Sequence, residues 1–196
     1  MEQAARKIWS AEEFFAWQER QEDRYELVDG QPLRMMAGAS NAHNRIVINI
    51  QGQMYLQLRD SPCQPFNGDG SVQTKPGQFR RPDVGVECGP FVPGGYWLAA
   101  PRMIAEVLSP STRDIDTIRK LDEYQSIPSL RRILLVETNR PEVAMWVRDE
   151  AGRWIRSDVA GLEAGIDMPE IGVALPMAEI YRSIAFQPEL RLVAGQ

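Results

Sequence analysis

The segment IAEVLSPSTRDIDTIRKLDEY, from Ile104 to Tyr124, joins a strand-type run to a helical pattern and raises the main functional question. Its first part is an apolar run of strand type that contains one carboxylate, Glu106. A polar turn follows, and then a helical pattern in which Asp116, Lys120 and Tyr124 recur at intervals of four residues. A carboxylate in an apolar strand is costly unless it is paired, hydrated or bound to a metal. Glu106 is therefore the first candidate for a functional residue.

Length and composition are those of one globular domain. The 196 residues are 43% hydrophobic and 25% charged, and we expect a single domain over 1–196, with a core at about 9–184 and a short C-terminal tail at 185–196. No run approaches the roughly 20 apolar residues of a membrane helix. The first residues also have no apolar signal segment, so we expect a cytoplasmic protein that does not enter a membrane. Cys63 and Cys88 are too few for a disulfide scaffold or a zinc site, and we expect two free thiols.

The net charge limits the ways in which the protein could bind nucleic acid. It is −5, whereas a protein that binds nucleic acid by non-specific attraction to phosphates is basic. Any nucleic-acid role would therefore use a local basic surface, or a metal that neutralises acidic residues at the site.

The order of predicted elements indicates an α/β (α+β) domain with a mixed β-sheet flanked by helices and additional β-hairpins. A capping box at Ser10 and Glu13 predicts a short helix, and an Asp-Gly turn predicts a hairpin over 24–36. Apolar residues spaced by three and four predict a long helix from Asn41 to near Asp60. Further along, we predict strands over 63–66, 71–75, 81–87, 102–108 and 132–137, a loop over 88–97, a helix from Ser111 that stops before Pro128, a hairpin over 143–157, and a strand with a closing helix over 173–181.

A second acid lies in a similar strand context. Asp83, in RRPDVGVE, precedes Glu106 by 23 residues. Two carboxylates on neighbouring strands repel each other unless a cation lies between them, and Mg²⁺ typically uses one or two carboxylates and keeps several waters. The pair therefore favours a metal site.

Each of these residues also fits an ordinary structural role. Asp83 follows Pro82 and is typical of a turn, and Glu106 is typical of an edge strand that faces solvent. A lysine four residues after an acid, as Lys120 is after Asp116, forms a surface ion pair in many helices. His43 is the only histidine and begins a helix, where capping is commoner than metal binding.

The order of these segments resembles one family. The segments RYELVDGQ, SNAHNRI, RRPDVGV, MIAEVLSPSTRDIDTIRKLDEYQSI and LPMAEIY resemble the Uma-two (Uma2) family of restriction endonuclease-like proteins, within the PD-(D/E)XK nuclease superfamily. The resemblance extends from about Trp9 to Ile184. It implies a restriction-endonuclease-like core, with a mixed sheet flanked by helices and a metal-dependent site at one edge.

Carried over by position, the resemblance implies a set of site residues. Asp83 and Glu106 match the two acids that bind Mg²⁺, with Mn²⁺ as a substitute, and the backbone carbonyl of Val107 is a further ligand. Glu26 matches the early acid of the family, which helps to hold a metal or a water.

The catalytic lysine departs from the superfamily pattern. The position two residues after the second acid is Leu108 here, and the resemblance implies that Lys120, on the next helix, takes over the role. If that helix face packs over the sheet edge, Lys120 points towards Glu106 and Tyr124 packs behind it. The accessory candidates are His43, Ser109, Asp116 and Tyr124.

We therefore predict a metal-dependent endonuclease that hydrolyses DNA with a Mg²⁺-activated water. The alternative is a catalytically inactive nuclease fold that binds nucleic acid or a protein, and a further alternative is an oligomeric structural protein whose acids pair with Arg80, Arg81 or Arg113. We also expect a homodimer, for which the apolar segment GPFVPGGYWLAAP (89–101) is a candidate contact surface.

Overall fold

The helices and strands follow the predicted order through most of the chain. The computed structural model describes residues 7–35, 40–108 and 116–186, except for the side chains of 116–118. The helices are α1 (Ala11–Gln18), α2 (Asn41–Gln57), α3 (Asp116–Gln125) and α4 (Met177–Ile180). The strands are β1 (Tyr25–Val28), β2 (Gln31–Arg34), β3 (Gln64–Asn67), β4 (Val72–Lys75), β5 (Gln78–Arg80), β6 (Val84–Glu87), β7 (Pro101–Leu108), β8 (Arg132–Glu137), β9 (Glu142–Arg148), β10 (Trp154–Ala160), β11 (Gly165–Met168) and β12 (Val173–Pro176).

A six-stranded mixed sheet forms the centre of the molecule. Its order is β10-β9-β8-β7-β6-β3, in which β7 and β8 run parallel and the other neighbours run antiparallel. Parallel neighbours need a crossover, and α3 lies in the segment between β7 and β8. The mixed sheet with flanking helices confirms the predicted fold class.

The alternation of side chains along β7 explains the acid in an apolar strand. Successive residues of a strand point to opposite faces. Met103, Ala105 and Val107 belong to the core cluster that includes the buried residues of α2. Ile104 packs with the buried Tyr124 of α3 on the other face, and the Glu106 side chain, 12% exposed, reaches the same tyrosine. Glu106 is thus a polar residue of the α3 face, near the end of its strand.

A smaller sheet places two charged residues beside this face. Its order is β2-β1-β5-β4, and α1 packs on it through a cluster formed by Phe14, Phe15, Leu27 and Phe79. Glu26 of β1 and Arg80 of β5 are both buried despite their charges.

Local signals at the N-terminal end are confirmed. The Ser10 side chain accepts a hydrogen bond from the Glu13 N–H, and the Glu13 side chain accepts one from the Ser10 N–H. The hairpin β1–β2 turns at Asp29 and Gly30, which have φ of 49° and 69°. Two positive φ values in sequence are typical of the tight turn that Asp-Gly favours.

Two strands were absent from the sequence prediction. β5 has only three residues, and β11 starts at Gly165, so neither shows a clear period-two pattern. The predicted strand 81–87 begins instead at Val84, three residues later, after Pro82, which has no backbone N–H for a sheet ladder. The predicted start of the helix at Ser111 falls outside the described residues.

The prediction of two free thiols is wrong. Cys63 and Cys88 form a disulfide across 25 residues of sequence. The cause is the antiparallel pairing of β3 with β6, in which Gln64 faces Glu87, so that the preceding and following cysteines also face each other. Sequence spacing alone does not reveal this register.

Among the described helices, none has the length and apolar character needed to cross a bilayer.

Candidate active site

Adjacent strands bring the two predicted acids together. Asp83 directly precedes β6, and the pairing of Val84 with Ala105 places it beside the end of β7. The Asp83 Oδ2 accepts a hydrogen bond of 2.8 Å from the Val107 N–H, the residue after Glu106. Asp83 is therefore held by the backbone of the strand that carries the second acid.

His43 joins this pair from the start of α2. Its Nε2 lies 3.2 Å from the Asp83 Oδ2. Its backbone N–H donates to the Ser40 Oγ, which caps the helix. The hydrogen bond with Asp83 raises the pKa of His43. The histidine thus acts both within the first turn of α2 and at the carboxylate.

Glu106 is held by two residues of α3. The Tyr124 hydroxyl donates to the Glu106 Oε1 at 2.5 Å, and the Lys120 Nζ lies 3.3 Å from the same oxygen. Burial raises the pKa of Glu106 to about 7; Lys120 and Tyr124 oppose this change, and the charge of Asp83 adds to it. Burial and the neighbouring acid thus favour the neutral form of Glu106, whereas Lys120 and Tyr124 favour the ionised form.

Lys120 lies between two glutamates. Its Nζ is 3.5 Å from the Glu26 Oε1 and 3.3 Å from the Glu106 Oε1. Burial alone would lower the pKa of Lys120, but the charges of Glu106, Glu26 and Asp83 raise it overall. The ammonium therefore stays charged. Lys120 and Tyr124, four residues apart, share one helix face, which is why both reach the same carboxylate.

A buried arginine holds Glu26 in place. The Arg80 Nη1 donates to the Glu26 Oε2 at 2.8 Å, and the Arg81 N–H donates to the Glu26 Oε1 at 3.0 Å. Arg80 also forms two hydrogen bonds, of 2.6 and 2.8 Å, with the carboxylate of Glu123 on α3. The Arg80 side chain is 3% exposed, so these charges form a buried network that joins β1, β5 and α3.

Sequence reasoning did not identify this network. The sequence suggests acid partners for Arg80 only in the alternative of a structural protein, and it does not single out Glu123. In the structure, Arg80 contacts Glu26, which is a predicted site residue, and Glu123, which is not. A signal did exist, because Glu123 is an acid in the same amphipathic helix as Lys120 and Tyr124.

The remaining predicted site residues differ in what the structure says of them. Val107 lies in β7, and its N–H donates a hydrogen bond to Asp83. Ser109 lies outside the described residues. Asp116 is the first residue of α3, and the structure does not describe its side chain. The structure thus brings six predicted side chains into one cluster: Glu26, His43, Asp83, Glu106, Lys120 and Tyr124.

The donor atoms fit a hard divalent cation in kind. Among the described residues, the hydrogen bonds to Asp83 and Glu106 use one oxygen of each carboxylate, Oδ2 and Oε1. Mg²⁺ needs only one or two carboxylates because it keeps several waters. Within the described residues, no group of three or more His, Cys, Asp or Glu side chains is arranged as a metal cage, so a bound ion would rely on this pair, on backbone oxygen and on water.

Two curated proteins of Synechocystis sp. (strain PCC 6803) are similar to this chain. The "Uncharacterized protein slr1290" is 30% identical over 179 residues, which are 90% of this chain and 93% of that protein. The "Uncharacterized protein sll1609" is 28% identical over 168 residues, which are 84% of this chain and 94% of that protein.

A solved structure shares the fold. It is described as a "putative nuclease belonging to DUF820 from Anabaena variabilis ATCC 29413" and aligns with a TM-score of 0.68 over 88% of this chain and 97% of its own, at 15% identity. The family model described as "Uma2: Putative restriction endonuclease" matches residues 11–178, which include both strands of the acid pair and α3. The chain therefore belongs to the Uma2 family.

Proposed function

We propose that this protein is a metal-dependent endonuclease that hydrolyses DNA phosphodiester bonds, with Asp83 and Glu106 as its metal ligands. The observation that carries the proposal is the placement of both carboxylates at one end of β6 and β7, with the Lys120 ammonium 3.3 Å from Glu106. Membership of the family described as "Uma2: Putative restriction endonuclease" supports a nuclease.

The metal site would use the carboxylates of Asp83 and Glu106 together with the carbonyl of Val107. A bound Mg²⁺ or Mn²⁺ would supply a water of lowered pKa and neutralise charge on the phosphate. The protein orients this pair through two fixed contacts, Val107 N–H to Asp83 and Tyr124 hydroxyl to Glu106.

Lys120 supplies the fixed positive charge of the site. Its ammonium would stabilise the charge that develops on the phosphate oxygens, a role in which a preorganised charge is most effective in a water-poor site. Glu26 also forms an ion pair with the ammonium, and Arg80 forms an ion pair with Glu26. The side chain therefore reaches the acid pair from a helix instead of from the position of Leu108.

Calorimetry of Mn²⁺ and Mg²⁺ binding tests the ligand assignment. We expect the wild-type chain to bind, and we expect binding to fall by at least about tenfold in Asp83→Asn and Glu106→Gln, because each variant removes one anionic ligand. Asp167→Asn, at an exposed carboxylate of β11, is the matched control. Equal affinity in the wild type and in Asp83→Asn would rule out this site.

A second function is favoured by one specific observation. Lys120 already lies between Glu106 and Glu26, so a protein cation partly neutralises the acids without a metal. This arrangement also fits a nuclease fold that binds nucleic acid or a protein without cleaving it. Fluorescence anisotropy with duplex DNA, single-stranded DNA and RNA, followed by electrophoresis of the same samples with Mn²⁺, separates the two. Binding without any cleaved product favours the binding module, and cleavage favours the enzyme.

A further inference from the structure

The outer edge of the central sheet is a long and regular strand. β10 lies at one end of the sheet order, and all seven of its residues pair with β9 without a shift in register. Within the described part of the chain, no strand pairs with its other side. Such an edge presents backbone N–H and C=O groups to another chain unless bulges, prolines or charges of one sign prevent pairing. β10 contains no proline, and its two charges are of opposite sign.

The sequence of this edge, WIRSDVA, is complementary to itself when two copies run antiparallel about Ser157. In that register, residues at equal distances from Ser157 face each other. Arg156 faces Asp158 of the second copy, Ile155 faces Val159, and Trp154 faces Ala160. Opposite charges and apolar pairs across neighbouring strands both stabilise a sheet.

Alternation along the strand separates these contacts by face. Arg156 and Asp158 lie on one face, where their own ion pair is 3.0 Å long. Ile155 and Val159 lie on the other face. The Ile155 side chain is 54% exposed, and the exposures of the two charges are 58% and 49%. Pairing with a second copy would therefore form two contacts between opposite charges on one face of the sheet and two apolar contacts on the other.

Neighbouring registers do not share this complementarity. Centring the pair on Arg156 or on Asp158 places two like charges opposite each other. Centring it between residues places Arg156 opposite Ser157 or Val159, so that no charge meets its opposite. Only the register about Ser157 satisfies both charges.

We propose that the β10 edge is the interface of a homodimer, in which two copies pair antiparallel about a two-fold axis at Ser157. The occupant of this edge is thus a second copy of the chain, and the two central sheets become one continuous sheet. The inference does not depend on the chemistry of the acid pair. It also places the contact away from the exposed segment 89–101, in which Phe91 is 88% exposed.

Charge reversal tests the pairing directly. In Arg156→Asp and in Asp158→Arg, two like-charge contacts replace two attractive ones, so we expect the dimer dissociation constant to rise by about tenfold or more. An equimolar mixture of the two variants should recover a dimer of one copy of each, because every 156–158 contact then joins opposite charges. An ion pair within one chain would not be restored by mixing. Lys75→Asp, an exposed reversal on β4, is the matched control.

The measurement is light scattering during size-exclusion chromatography over a concentration series. We expect the wild type and Lys75→Asp to reach twice the monomer mass and each single reversal to shift towards the monomer. The proposal would be overturned by a wild type that stays monomeric, by an unchanged dimer dissociation constant in both reversals, or by a mixture of the two variants that does not form a dimer. Phe91→Ser should leave the dimer intact, and loss of the dimer in that variant alone would assign the interface to segment 89–101 instead.

Cysteine crosslinking tests the register independently. Ser157→Cys places two thiols opposite each other at the axis, so mild oxidation should give a covalent dimer on a non-reducing gel. Ile155→Cys is the control, because two copies of residue 155 would be about 13 Å apart along the strands, beyond disulfide reach. Crosslinking of Ile155→Cys with none of Ser157→Cys would contradict the proposed register.

Discussion

Glu106 shows how one residue can satisfy both the core and the site. Its strand neighbours are buried on the opposite face, while its own carboxylate meets the Tyr124 hydroxyl and the Lys120 ammonium. Its raised pKa, about 7, comes first from burial and then from the charge of Asp83, with Lys120 opposing both. A carboxylate in this position is favoured in its ionised form when a further positive charge is bound beside it.

Lys120 provides the sharpest prediction at the level of one residue. In Lys120→Met, we expect DNA cleavage to fall by about 100-fold or more, because a preorganised charge at the phosphate is lost. Mn²⁺ binding should be unchanged or tighter, because the ammonium no longer competes for Glu106 and Glu26. Steady-state cleavage and calorimetry on the same preparation measure both quantities.

The control for this variant is Lys75→Met, at an exposed lysine of β4. It should alter neither cleavage nor metal binding. A Lys120→Met protein that cleaves like the wild type would show that the lysine has not moved from the strand to the helix, and the role would then belong to another group.

At the level of elements, α3 is fixed to the small sheet by buried charge. Burial tends to raise the pKa of Glu123, but the hydrogen bonds from Arg80 outweigh it and hold that pKa below its usual range. A lowered carboxyl pKa stabilises the folded chain above the ordinary pKa of the group, and this stabilisation is lost as the pH falls through the lower, folded-state pKa. The contact between Arg80 and Glu123 should therefore weaken in acid.

Glu123→Gln tests this contact. At neutral pH we expect the free energy of unfolding to fall by about 1–3 kcal/mol, because a charge-assisted pair with a buried arginine is lost. The difference from the wild type should shrink in acid, where the wild-type Glu123 also becomes neutral. Urea denaturation at several pH values measures it, with the exposed Glu163→Gln as the control. A cost that is independent of pH would contradict the role of the ionised pair.

The disulfide joins Cys63, directly before β3, to Cys88, directly after β6. β6 is the strand that begins directly after Asp83. Closing a loop of 25 residues stabilises a chain by about 3 kcal/mol when the effect comes from the unfolded state. The double variant Cys63→Ala/Cys88→Ala should therefore lose about that much stability. Thermal unfolding with and without a reductant gives the same comparison in the wild type.

A thiol count completes the test of the disulfide. In the unfolded wild type, without reductant, we expect no free thiols. Two free thiols per chain would show that the pair is reduced in the purified protein.

At the scale of the whole molecule, the sequence was most informative where patterns are local. The capping box at Ser10, the Asp29–Gly30 turn and the strand that carries Glu106 all depend on residues close to one another in sequence, and all were predicted. The short strand β5 was not, because three residues are too few to show a period. The Cys63–Cys88 bond and the partners of Arg80 were also missed, since both depend on the register between distant strands.

The same distinction applies to the candidate site. The acids and the lysine were identified through a family resemblance, and their proximity follows from the crossover that places α3 over β7. The network of Arg80, Glu26 and Glu123 required the position of the small sheet relative to α3, which no local pattern contains. Long-range packing is therefore what local sequence patterns do not contain. Its absence affects the prediction of supporting residues such as Arg80 and Glu123 more than the prediction of the acids and the lysine.

Cleavage of supercoiled plasmid DNA with Mn²⁺ is the decisive test of whether the acid pair forms a metal-dependent nuclease site. We expect nicked and linear products with the wild type and with Asp167→Asn, and none with Asp83→Asn or when EDTA removes the metal. Asp83→Asn keeps an oxygen that can accept the Val107 N–H, so its loss of activity would report on the metal and not on the fold. Intact plasmid after incubation with the wild-type protein and either Mn²⁺ or Mg²⁺, or equal cleavage by Asp83→Asn, would show that Asp83 and Glu106 do not form such a site.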